Sequence, residues 1–201
     1  MKNAYAATLV AVVVVTVSPV LAGHGDAVLG SPGVNQGDSK QYFFKWHATE
    51  QPMVLLLGPD AELRALAGTD IDLTATNAQF DTPTRAMTAT GVAAKIAAGT
   101  NSVAVQADEV RLLTREAASA RKQAPGERVF MLRSGGATIA ELRLRGAAAV
   151  AVENANSSGD LGYATSTGAM LARGGVVLKV TAGTKSVSVR ADEIESVPAP
   201  K

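Results

Sequence analysis

Residues 95–110 read KIAAGTNSVAVQADEV and residues 179–194 read KVTAGTKSVSVRADEI, with ten of sixteen positions identical at an offset of 84. A duplication of this kind marks one unit used twice, as one continuous sheet stack or as two lobes. The match continues upstream through Gly91-Val92 and Gly175-Val176, and Ala61-Glu62-Leu63-Arg64 reappears as Ala140-Glu141-Leu142-Arg143 at an offset of 79. An insertion of about five residues therefore separates the two matches. The units run over residues 53–115 and 129–197 of a β domain spanning 51–198, and the polar stretch 116–128, with Pro125-Gly126 near its end, reads as a linker or exposed helical turn.

Each unit alternates with a period of two, the pattern of a strand with one buried face. Ile71, Leu73 and Ala75 oppose Asp70, Asp72, Thr74 and Thr76, while Leu142 and Leu144 oppose Glu141, Arg143 and Arg145. In the first copy Val92, Ala94 and Ile96, then Val103, Val105 and Ala107, share one facing; in the second, Val176, Leu178 and Val180, then Val187, Val189 and Ala191, repeat it. Turn signals at Gly58-Pro59-Asp60, Ala98-Gly99-Thr100, Ser134-Gly135-Gly136 and Ala182-Gly183-Thr184 punctuate these segments. The expected fold is all-β: a jelly roll or sandwich built from two tandem repeats, with about ten to twelve short strands. Its inward positions are almost all Val, Ile, Leu and Ala, which leaves either a thin closed core or a groove with apolar walls.

Residues 1–22 have to be set aside before the fold is argued. Lys2 precedes an apolar run from Ala4 to Val17, Ser18-Pro19 breaks any helix, and Val20-Leu21-Ala22 offers small residues to a signal peptidase. We read an export signal helix cleaved after Ala22, against the competing reading of an uncleaved anchor. Losing Lys2 with it leaves the remaining chain formally neutral. Residues 23–50 form an N-terminal segment: a Gly-rich arm to about Asp38, then Tyr42, Phe43, Phe44 and Trp46, the only aromatic cluster, read as a strand that plugs one end of the core.

Composition narrows the function. Nineteen Lys plus Arg against eighteen Asp plus Glu leave no basic surplus for a nucleic-acid partner. The absence of cysteine removes disulfides, thiolate metal sites and thiol nucleophiles, and in an exported chain it points to a periplasmic location in a bacterial envelope. His24 lies in the arm and His47 beside the aromatic cluster, outside both repeats, so neither a Ser-His-acid arrangement nor a histidine metal centre is expected. Asp108-Glu109 and Asp192-Glu193 recur at what reads as the ends of equivalent strands, and the simpler account of them is structural. Arg143, Arg145, Lys179, Lys185 and Arg190 read as solvated strand-face charges. No catalytic residue, cofactor or metal is assigned, and no enzyme activity is expected; a hydrolase of envelope polymers would need a histidine or converging carboxylates in a cleft.

The run of Gly-Val, an alternating strand, a turn, and Ser-Val-x-Val-x-Ala-Asp-Glu-Val/Ile resembles the repeats of the OstA/LptA-like lipopolysaccharide-transport proteins, as does the stretch from Ala61 to Gly91. The resemblance implies a periplasmic β-jelly roll that carries the acyl chains of lipopolysaccharide, or another amphipathic lipid, in its apolar interior. The lipid-binding residues it implies are Val92, Ile96, Val103, Val105, Val176, Leu178, Val187 and Val189. It also implies stacking on like-folded β-jelly-roll proteins, and self-association, through open sheet ends. The 84-residue duplication and the aromatic cluster depart from the family's pattern. The alternative to lipid carriage is a structural or assembly protein of the envelope that joins partners through sheet edges.

Overall fold

In a computed structural model of the protein, the described residues are 28–29, 33–34, 40–58, 60–81, 86–113, 126–146, 148–154, 159–164, 169–182 and 184–197. The expected signal, residues 1–22, and His24 lie outside them. Among the described residues there are fifteen strands and no helix. Three precede the first repeat: β1 (Val28–Leu29), β2 (Gly33–Val34) and β3 (Lys40–Ala48). The first repeat supplies β4 (Met53–Leu56), β5 (Ala61–Ala65), β6 (Thr69–Ala75), β7 (Asn77–Asp81), β8 (Ala86–Ala98) and β9 (Asn101–Leu112). The second supplies β10 (Arg128–Ser134), β11 (Ala137–Leu144), β12 (Ala149–Asn154), β13 (Asp160–Ala164), β14 (Ala169–Ala182) and β15 (Lys185–Val197).

Every pairing is antiparallel, and the strands join into one sheet. The alternation had suggested shorter strands in two facing sheets. The difference lies in β9 and β15, each long enough to take two partners in succession along one edge. Residues 104–107 of β9 pair with 187–190 of β15; further along, β9 turns to β4 and β15 turns to β10. With β4–β5, β5–β11 and β11–β10, these pairings close a six-strand ring. Two wings leave it: β8, β6, β3 and β1 from β9, and β14 and β12 from β15, with β7 and β13 on the outer stretches of β8 and β14.

The two repeats are related strand for strand. Val54 of β4 and Val129 of β10 face Arg64 and Arg143, counterparts in β5 and β11. Ile71 opposite Ile96 becomes Val150 opposite Val180, and Met87 opposite residue 80 becomes Met170 opposite Tyr163. The spacing between counterparts is thus 75 on β4, 79 on β5 and β6, 83 on β7 and 84 on β9, so the insertion read from the sequence is split. Four residues fall between β12 and β13, and one is the bulge at Gly174-Gly175, where both glycines take positive φ. Counterparts meet each other directly at two places, Leu63 with Leu142 and Val105 with Val189. A pseudo-twofold axis passes through both pairs, so the repeats meet as the subunits of an isologous dimer would.

The inward residues of ring and wings form one core containing Leu55, Leu63, Ile96, Leu132, Leu142, Leu178 and Ile194. At about 25 cal/mol per Å² of apolar surface removed from water, this burial is the main stabilising term in a chain without disulfides. The aromatic cluster is β3, with Phe44 and Trp46 buried in that core and their rings stacked at 5.6 Å. The arm before it is in part ordered, since Val28–Leu29 and Gly33–Val34 pair with β3. Asp108-Glu109 and Asp192-Glu193 lie within β9 and β15, not at their ends, because both strands continue past the ring to a second partner. Residues 116–125 of the expected linker lie outside the described residues, while Glu127 is fully buried and Arg128 opens β10.

Candidate functional site: an open edge and cleft in the second repeat

The residues implied as lipid-binding fall on β8, β9, β14 and β15, and all share one closed core. Val92, Ile96, Val103, Val105, Val176, Leu178, Val187 and Val189 are between 0% and 4% exposed. Their every-other-residue spacing turns them inward, and Val105 and Val189 meet across the pseudo-axis. A ligand in contact with them would have to part the sheet. The question is then where apolar surface is left open.

It is left open where the repeats differ. In the first, β6 is sandwiched between β8 and β3, with Trp46 opposite Ile71 and Phe44 opposite Leu73. In the second, β12 is the counterpart of β6 and pairs with β14, but among the described residues nothing pairs with its other edge. Ile71 and Leu73 are fully buried; their counterparts Val150 and Val152 are only half-buried. Side chains directly opposite in an antiparallel pair share a face, so β3 places two stacked rings where the second repeat has none.

Val150 and Val152 there line a cleft of about 400 Å³, whose walls also include Val129, Phe130, Met170, Ser196 and Val197. The size lies within the range of about 300–1,000 Å³ of small-ligand sites. Among the described residues the exposed large apolar ones are Leu161 at 66%, Tyr163 at 68%, and Val197, of which Val197 lines the cleft. Leu161 and Tyr163 stand opposite Ala172 and Met170 and so share the cleft's face.

The charged groups form a second constellation on the outer face of the β5–β11 pair. Arg64 Nε donates to Glu62 Oε1 at 2.6 Å, Arg145 Nε to Glu127 Oε1 at 3.1 Å, and Arg143 Nη2 to Glu141 Oε2 at 2.8 Å. Longer ion contacts join Arg143 to Glu127 at 3.7 Å and Arg145 to Glu62 at 3.8 Å. Among the described residues three carboxylates meet three guanidiniums in this cluster. It is a desolvated ionic clasp across the pseudo-axis. Arg143 and Arg145 are therefore not solvated strand-face charges, whereas Lys179 and Lys185 are partly exposed and paired with Glu153 and Glu109.

The recurrent carboxylate pairs are engaged in packing one element on another. Asp108 Oδ2 accepts from the Ser186 backbone N–H at 2.7 Å, and Asp192 Oδ2 from Ser134 Oγ at 2.6 Å. Glu193 takes hydrogen bonds from Arg133 and Arg173. His47 Nδ1 lies 2.7 Å from Asp70 on an exposed face, a cross-strand pair between β3 and β6. Among the described residues no three His, Asp or Glu side chains converge as a metal site would require, and no helix is long and apolar enough to cross a membrane.

Comparison with protein-family models, with curated proteins and with solved structures finds no match to this chain. The site therefore rests on geometry. Sequence reasoning passed over Glu62, Glu127 and the cleft. For the clasp a signal was present, the duplicated Glu-Leu-Arg at 62–64 and 141–143. For the cleft the signal was subtler: Ile71 and Leu73 are replaced by the smaller Val150 and Val152, and the second repeat has no aromatic run before it to match 42–46.

Proposed function

We propose that this protein is a non-catalytic, exported envelope protein that acts as an assembly module, recruiting its partner through the β12 edge and the adjoining cleft. The observation that carries this reading is that among the described residues no strand pairs with the outer edge of β12, whereas its counterpart β6 is flanked by β3. An unpaired strand edge offers a row of backbone donors and acceptors, and natural proteins usually blunt such edges with Lys, Pro or a covering loop. Ala149 to Val152 has neither Lys nor Pro. Photocrosslinking tests the reading: a benzophenone amino acid at position 152 should trap an envelope component in the native host, and one at Thr88, on β8 away from the cleft, should not. Equal trapping at both, or at neither, overturns it.

The cleft's apolar lining favours one second reading, carriage of an amphipathic lipid such as lipopolysaccharide, in keeping with the resemblance to OstA/LptA-like jelly rolls. Burying ten methylenes of one acyl chain would contribute about 8 kcal/mol before ordering costs. On this reading protein purified gently from the envelope releases acyl lipid into an organic extract, and Val152→Asp abolishes the lipid. An extract free of lipid leaves the assembly reading alone.

A further inference from the structure

We propose that the occupant of the β12 edge is an extended strand of a partner protein that carries large aromatic side chains at alternate positions. The proposal rests on the assembly reading above and names the partner's chemistry. The molecule holds its own template for the missing strand. β3 lies antiparallel to β6 over Tyr42 to Ala48 and turns Tyr42, Phe44 and Trp46 toward the core. Carried across the pseudo-axis, Trp46 maps to the position opposite Val150, Phe44 to that opposite Val152 and Tyr42 to that opposite Asn154. The Trp46 and Phe44 positions thus face Val150 and Val152, which line the cleft and are smaller than their counterparts Ile71 and Leu73.

The outer face of β12 says what the partner need not carry. In the first repeat Asp70 and Asp72 hold His47 and Lys45 of β3 at 2.7 and 3.3 Å. Their counterparts on β12 are Ala149 and Ala151, and Glu153 is already bonded to Lys179. Selection therefore comes from main-chain pairing and the alternate rings, the mode of β-strand addition, and not from charge. A second copy of the chain is a poor donor. Its β3 is tethered to its own β6, where the effective concentration is of millimolar order, and moving it would uncover Ile71 and Leu73 for every Val150 and Val152 covered.

The probe is a fluorescent, end-capped nonapeptide with the β3 sequence KQYFFKWHA, titrated into the full chain and followed by anisotropy and by backbone amide shifts. The expected result is saturable one-to-one binding, with the largest shifts in Ala149–Asn154. Val152→Asp in the protein, Tyr163→Ser in the protein, or serine at the Phe44 and Trp46 positions of the peptide should each weaken it by about tenfold or more. Tyr163 is exposed, so that variant separates lost binding from lost folding. Absence of saturation, shifts centred on β6, or affinity indifferent to both protein variants overturns the proposal. So does a concentration-dependent dimer, seen by light scattering, that Val152→Asp abolishes. Failure here with crosslinking retained at position 152 leaves the assembly reading standing and removes only the aromatic strand; loss of both removes the site.

Discussion

The two repeats share a strand plan and differ in what covers their wings. The first wing is four strands wide and carries the stacked Phe44 and Trp46 over β6. Among the described residues the second stops at β12, beside a cleft lined by Val150, Val152 and Met170. Since ring and registers are otherwise matched, the contrast separates what the repeat needs in order to fold from what it can leave free. The ring and the pseudo-axis are common to both; the cover is present in one. Surface that one copy must bury and the other can expose without unravelling is a natural place to look for binding.

The comparison breaks first at β3. Replacing Trp46 or Phe44 by alanine removes a buried ring and should cost about 3–5 kcal/mol each, read as a fall in the denaturant midpoint. A cost below about 1 kcal/mol would mean that β3 is no more than an accessory. Next in size is the clasp: Glu127→Ala removes the fully buried carboxylate that Arg145 and Arg143 share and should cost about 3–5 kcal/mol, measured the same way. The sharpest test pairs counterparts. Leu73→Ala should cost about 2–5 kcal/mol, and Val152→Ala, already half-exposed, about 1 kcal/mol or less; equal losses would erase the distinction between the wings. Smallest is the surface pair, where Asp72→Asn removes an exposed contact with Lys45 worth about 0.2–1 kcal/mol that high salt should screen. Native-state hydrogen exchange gives an independent ranking, with β6 amides protected well beyond those of β12.

Much of this was legible because it is local. Alternation placed Ile71, Leu73, Val103, Val105, Val187 and Val189 on buried faces, since a strand's side-chain period is two whatever its partner. The duplicated AGT turns located the β8–β9 and β14–β15 hairpins, where Gly99 takes positive φ. The aromatic run was readable as a strand for the same reason. What stayed hidden was long-range. Alternation does not say that β9 and β15 change partners midway, so the number of strands and their joining into one sheet were not foreseen. Nor does a polar residue announce that it will be desolvated: Glu127 reads as linker, and only Arg145 folding over it from β11's end makes it part of a clasp. The eight residues implied by family resemblance were rightly inward, yet facing inward does not distinguish a wall from a filling.

The sequence by itself determined that this chain is all-β, that it is built from one unit used twice, and which face of each strand is apolar, because those properties depend on period and repetition within a few residues. The tertiary structure alone decided that the copies meet about a pseudo-twofold axis, that their valines pack into a closed interior, and that among the described residues β12 ends the sheet where β6 does not. Those outcomes depend on which of several equally apolar edges find a strand to pair with. That competition is settled by the whole molecule, through the β9–β15 contact and the single aromatic strand that could cover only one of the two wings.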